Sequence, residues 1–246
     1  MRHCVVLTAA LALGGLLLHG CDGPVTPSSP RATAGRIDHA TNATLDASAC
    51  AFGQSFTLES LNEYFPLEVG SRWTLAGEED GALIEVETRV LNKTEVVGGV
   101  RTRVVEEVER EDGELVEISR NFFAVTANGT VCYFGEEVDI YEDKKIVSHE
   151  GAWRADAPGN FPGIIMPANP TPGTTFQIEG APGVAEDFAK IVGGGSAEVP
   201  AGPFPETIRV RDTNPLTGDV GTKVYARFVG LIIDRPISLV SYRLGT

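Results

Sequence analysis

Carboxylates dominate the chemistry this chain could offer, and their densest run is Glu136, Glu137, Asp139, Glu142 and Asp143. Oxygen donors at such density are what a calcium ion takes from a flexible loop. The spacing follows no known calcium loop, so a solvated hairpin end is the preferred reading, with the five kept as weak calcium candidates. Glu186-Asp187 is a second acidic pair, read as structural through capping or turn hydrogen bonds. His149-Glu150 offers a metal or acid–base pair, against the plainer reading of a strand-end histidine. Cys50 and Cys132 are either one disulfide or two unrelated thiols. Trp73, Phe122, Phe123, Tyr133, Phe134 and Trp153 either line the concave face of a bent sheet, where an apolar or sugar ligand would sit, or are simply core.

Motifs with a known mechanism are missing. There is no G-x-S-x-G elbow, no H-E-x-x-H, no G-x-x-x-x-G-K and no C-x-x-C. The run Gly193-Gly194-Gly195-Ser196 has no adjacent lysine and reads as a loop. These observations argue against an enzyme and call for no cofactor.

The N-terminus carries an address. Arg2 precedes Val5 to Leu18, an apolar stretch without charge. It is shorter than the roughly 20 residues that span a bilayer, as expected for the core of a signal peptide. Leu18, Gly20 and Cys21 then resemble the lipobox of bacterial lipoproteins, with His19 departing from the usual small residue. The resemblance implies cleavage after residue 20 and acylation of Cys21, which would anchor the chain on the extracytoplasmic side of the inner or outer membrane. Residues 21–48 are rich in Pro, Ser, Thr, Ala and Gly and are expected to form a disordered tether. With that processing, His39 and His149 are the histidines left, too few for a histidine zinc site.

Removal of residues 1–20 takes away one Arg and no acid, leaving 19 basic against 34 acidic residues and a net charge of −15. Such a surface repels nucleic acid, which is excluded as a partner. Residues 49–246 suit one domain.

The pattern within it is β. Asp80-Gly81, Gly98-Gly99, Asp112-Gly113 and Asn128-Gly129 punctuate alternating runs, as two-residue hairpins require. Val100, Thr102, Val104 and Val108 are expected on a buried face, and Arg101, Arg103, Glu107 and Glu109 on a wet one. A short helix is expected over Phe56–Phe65, capped by Thr57. Ala157–Gly173, with five prolines and three glycines, reads as a long ordered loop.

Tyr64-Phe65-Pro66-Leu67-x-x-Gly70-x-x-Trp73 resembles the opening strand of a group of uncharacterised bacterial secreted proteins and lipoproteins. Gly113–Glu117, Tyr133–Glu136, His149-Glu150-Gly151-x-Trp153, Pro162–Pro167, Ala181–Asp187, Val199–Phe204 and Gly230–Ile232 extend the likeness. Cys132 replaces the group's more usual aromatic, which favours a disulfide with Cys50. The stretch at Arg227-Phe228 lacks the expected Pro-Gly. The group's general shape implies a curved antiparallel half-barrel like that of periplasmic lipoprotein carriers, an analogy of fold rather than activity.

The expectation is therefore a mainly β protein, a curved antiparallel sheet or half-barrel of about ten to twelve strands with one or two short helices. Its expected role is a lipid-anchored, non-catalytic binding or envelope-maintenance module, taking a small apolar ligand or an envelope protein. A structural or assembly partner of envelope proteins is the alternative, and a carboxylate-dependent hydrolase, which needs carboxylates converging in a cleft, ranks last.

Overall fold

Hairpin turns set the architecture. At Asp80-Gly81 and Asp112-Gly113 both residues hold positive φ (49° and 88°, 50° and 82°), the turn whose twist matches antiparallel strands. Gly98-Gly99 behaves likewise, as does Asp143-Lys144, a turn that carries no glycine signal in the sequence. At Asn128-Gly129 only the glycine has positive φ, and Thr126 N–H instead donates to the Thr130 carbonyl at 2.9 Å, which makes a wider turn.

The computed structural model describes residues 43–245. The expected signal segment, Cys21 and residues 22–42 lie outside them. A 3-10 turn at Ala47–Cys50 is followed by β1 (Phe56–Thr57), β2 (Arg72–Glu79), β3 (Ala82–Val97), β4 (Val100–Glu111), β5 (Glu114–Thr126), β6 (Val131–Glu142), β7 (Lys145–Ser148) and β8 (Trp153–Arg154). Then come β9 (Gly163–Met166), β10 (Thr175–Gln177), β11 (Phe188–Val199), β12 (Gly202–Thr213), β13 (Val220–Ala226), β14 (Gly230–Asp234) and β15 (Ile237–Arg243). All fifteen join one antiparallel sheet, whose main path runs β10-β11-β12-β13-β14-β15-β2-β3-β4-β5-β6-β7. β1 pairs with β5, and β8 and β9 pair with β6.

The mainly β, curved antiparallel expectation holds, with fifteen strands rather than ten to twelve. The sheet is not closed, yet its two ends meet. Phe161 N–H donates to the Gly180 carbonyl at 2.8 Å, and Gly163 of β9 packs on the backbone of Ile178 just after β10. The roll gives the sheet an enclosed inner face and an outer face. Part of the outer face is covered by the N-terminal segment, where Phe52 and Phe56 pack on Phe134 with centroids 5.9 and 5.2 Å apart. That segment is ordered from its first described residues, since Thr44 bridges Thr175.

Three local expectations are corrected. Residues 56–65 do not form a helix. Phe56–Thr57 pair with β5, and beyond them Ser60 Oγ and Asn62 Oδ1 accept from the backbone N–H groups of Asn62 and Tyr64, replacing helical bonds before Pro66 ends the segment. The only helical element among the described residues is the 3-10 turn. Gly193–Ser196 lies inside β11 rather than in a loop, at register shifts between Ile191 and Gly193 and between Gly195 and Ala197. The expected loop 157–173 contains β9, which pairs with β6.

Cys50 and Cys132 are bonded, with Cα atoms 5.6 Å apart and a separation of 82 positions in sequence. Closing that loop stabilises the fold by about 4.5 kcal/mol in the chain-entropy account. Reduction is expected to lower the urea midpoint accordingly, and a midpoint that does not move would show that the bond leaves the unfolded chain unconstrained. The meeting of the sheet ends can be tested separately. A Cβ at Gly163 would lie 1.9 Å from the Ile178 carbonyl oxygen, whereas one at Gly193 meets nothing within 4 Å. Gly163→Ala should therefore cost about 2 kcal/mol, roughly 4–8 °C in Tm. Gly193→Ala should change Tm by less than about 2 °C, and equal effects would argue against the close approach.

Candidate functional site

The roll forms a partly open cavity of about 120 Å³ against its inner face. Residues from many elements reach it because cross-strand partners face the same side of a sheet. One end is apolar: Trp73 and Leu75 of β2, Val90 of β3, Val105 of β4, Phe123 of β5 and Tyr225 of β13. Trp73 is held by its indole N–H, which donates to the Val229 carbonyl at 2.7 Å. Tyr133 stacks beside Phe123, donates its hydroxyl to Asn121 Oδ1, and is backed by Trp153 at 5.2 Å.

Phe65 and Pro66 close the apolar end from the segment between β1 and β2. Asn62 fixes that segment by donating to the carbonyls of Gly129 and Pro167 at 3.0 and 2.9 Å. Glu63 adds an ion pair to Arg227 at 2.8 Å. The Tyr64-Phe65-Pro66-Leu67 motif thus serves as a plug rather than a strand.

The other end of the cavity is charged, with Glu107, Glu179, Asp187, Asp212 and Lys223 in its wall. Lys223 stands opposite Asp234 across the β13–β14 pair and bridges Asp212 at 3.0 Å and Asp234 at 3.3 Å. The two acids hold its ammonium above the usual lysine range against the opposing effect of burial. Room for Asp212 comes from Gly221 opposite it, where a Cβ would lie 2.7 Å from Oδ1.

Burial is the largest cause of the raised acid pKa values here. It lifts Glu107 to about 7, with Asp234 adding to the shift and Lys223 opposing it. Glu109, 4% exposed, is raised to about 9 by burial and then by Glu117, its direct cross-strand partner. Glu117 is raised to about 7 by burial and by Glu107. Glu136 and Glu179 are both pushed above the carboxylate range, by burial first. Asp187 rises for the same reason and then because Glu179 is near. Several inner-face oxygens have no hydrogen-bond partner, among them Glu109 Oε1, Glu117 Oε2, Glu136 Oε1, Asp187 Oδ1 and Asp212 Oδ1.

The aromatic expectation divides. Trp73, Phe123 and Tyr133 line the cavity, and Trp153 supports Tyr133 from behind. Phe122 and Phe134 do not face it. Phe122 pairs with Val104 on the outer face under Arg154, and Phe134 packs against the N-terminal segment. The weak calcium candidates do not converge, because the run lies along β6, where successive side chains alternate between faces. Glu136 turns inward, Asp139 binds Arg120 and His149 at 3.1 Å each, Glu137 and Glu142 are exposed, and Asp143 sits in the turn. Among the described residues no group of three or more His, Cys, Asp or Glu could hold a metal ion. His149 and Glu150 are solvent-facing, and His149 Nδ1 lies 2.7 Å from the Val138 carbonyl. Asp187 takes a larger part than the expected turn role, as a cavity-wall acid.

Sequence reasoning missed Lys223, Asp212, Glu179 and Tyr225, and placed Glu107 and Glu109 on a wet face. One signal was available: Lys223 and Asp234 are the sole charges in β13 and β14. No protein-family model, curated protein or solved structure matches this chain.

The buried acids make stability depend on pH. A carboxyl whose pKa is raised on folding binds more protons folded than unfolded, so stability falls as pH rises from about 4.5 through its folded value. For Glu107, Glu109 and Glu117 that window reaches from about 4.5 to about 7–9. Tm should be higher near pH 5 than near pH 8. Glu109→Gln should recover roughly 2 kcal/mol, about 4–8 °C, at pH 8 and little at pH 5. A Tm that rises across this window would contradict the burial of these acids.

Proposed function

We propose that this chain is a lipid-anchored, non-catalytic binding module of the bacterial cell envelope that takes a small, largely apolar ligand into its rolled sheet. The cavity carries the reading: Trp73, Phe123, Tyr133 and Tyr225 around about 120 Å³. Enclosed apolar space of this order accommodates molecules the size of benzene. The lipobox-like Leu18-His19-Gly20-Cys21 supports the anchor, and the disulfide is compatible with export. Fully extended, the chain between Cys21 and Thr44 would reach at most about 80 Å from the bilayer.

A second reading rests on a specific observation. Glu107, Glu179, Asp187 and Asp212 converge on one cavity, which is the arrangement a carboxylate-dependent hydrolase requires. The small cavity weighs against it, because a sugar ring with its leaving group is bulkier than a benzyl group. Hydrolysis of chromogenic glycosides by the purified chain, abolished by Asp187→Asn, would reverse this ranking.

The test uses full-length protein from a native-like bacterial host. Intact mass should show a chain beginning at Cys21 with added acyl mass. Benzyl alcohol at about tenfold over its Kd should stabilise the protein by about 1.4 kcal/mol, a few degrees in Tm. Ala189→Phe, which fills the cavity from β11, should abolish that shift. A mature chain cut elsewhere would remove the anchor from the proposal, and a ligand shift that survives cavity filling would remove the pocket.

A further inference from the structure

We infer that the ligand is an organic amine, with its apolar body among Trp73, Phe123 and Tyr225 and its ammonium seated on Asp187 beside Glu179. The inference rests on the binding reading above and names the ligand's chemical class. Four carboxyls and one ammonium stand in the cavity wall. Lys223, that ammonium, bridges Asp212 and Asp234.

Asp187 is the acid placed to receive an incoming donor. It is 3% exposed, lies in the cavity wall, and its Oδ1 has no hydrogen-bond partner. A buried acceptor left unmatched costs free energy that a donor from the ligand would recover. Aromatic faces around the remaining space pack against the ligand's apolar body.

The other ligand classes fit less well. A carboxylate or phosphate would enter beside Glu107, Glu179, Asp187 and Asp212 and be repelled by whichever of them is ionised. A neutral alcohol could share one hydrogen bond with Asp187 but would form no ion pair with it. A protonated amine supplies both the donor and the charge.

The proton balance follows. Asp187 faces Glu179, Asp212 and Asp219, which favour its neutral form, and Lys223, which favours the anion. When the ammonium binds, the Asp187 carboxyl loses its proton to solvent and the ion pair forms, so binding releases up to one proton. Affinity for the amine should rise with pH through neutrality while the amine itself stays protonated.

The experiment is isothermal titration of the full mature chain with benzylamine, benzyl alcohol and benzoate at pH 7.5, in two buffers of different ionisation enthalpy. Benzylamine is expected to bind at least about tenfold more tightly than benzyl alcohol, with net proton release, and benzoate is expected not to bind. Asp187→Asn should bring benzylamine to the level of the alcohol and leave the alcohol within about twofold. Glu179→Gln, a second variant in case the first fails to fold, should weaken the amine selectively. Equal binding of amine and alcohol, or tighter binding of benzoate, would overturn the amine inference and leave the cavity reading standing. Selective amine binding that neither variant alters would overturn the assignment to Asp187 and Glu179. Failure of all three probes to bind would overturn the cavity reading itself.

Discussion

A single antiparallel sheet whose main path is twelve strands long has no second layer to bury its inner face against, so it must roll, and the rest of this structure depends on that roll. A flat sheet would leave Trp73, Val105, Tyr225 and their neighbours in water and two long edges open to pairing with other chains. Rolling until Phe161 meets Gly180 shields one edge and encloses the inner face. The approach of the two ends is tight enough that Gly163 has no room for a side chain, so the size of the interior is set where the ends meet.

Enclosure changes the chemistry of whatever the inner face carries. Glu107, Glu109 and Glu117 would be ordinary solvated acids on an open sheet, and inside the roll their charged forms are disfavoured by lost hydration. The interior handles its acids in two ways. Asp212 and Asp234 share Lys223, an arrangement in which losing the lysine would leave two carboxylates buried without their bridge. Glu109 and Glu117 are opposed across strands, and burial, by favouring the protonated form of Glu109, relieves their mutual repulsion. Asp187 stands between these cases, near Lys223 yet with an unpartnered oxygen, which is why the proposed ammonium is assigned to it.

What could be read from the sequence was local. Asp-Gly and Gly-Gly pairs marked turns because few other residues accept positive φ, and period-two alternation marked strands. Alternation identifies two faces but not which is enclosed. Along β4 both are buried in part, Thr102 and Val104 on the outer side and Val105 and Glu109 on the inner, so charge alone misassigned Glu107 and Glu109. For Phe122 and Phe134 it is the other reading, simply core, that holds, as aromatic character does not tell inner face from outer. The acidic run at 136–143 looked like one cluster because sequence spacing ignores the pleat that sends its members to opposite sides. Lys223 and its partners come from three different strands, and only the pairing of β12, β13 and β14 brings them together.

The glycine run in β11 shows how composition can point to the wrong element while still marking the right physics. Glycine weakens a strand and so resembles a loop, but within a sheet it also permits bulges and close backbone approach. Both occur here. The register shifts on either side of Gly193–Gly195, and a Cβ at Gly194 would lie 2.3 Å from the Thr207 carbonyl oxygen. Bulges sharpen local twist and bend the strand that carries them, and a long sheet curls where its strands bend. β11 leads from Asp187 and Ala189 at the cavity to the hairpin with β12, so a bend along it helps turn that end of the sheet toward β9. The same glycines that argue against a strand are therefore part of what lets this one roll around a cavity.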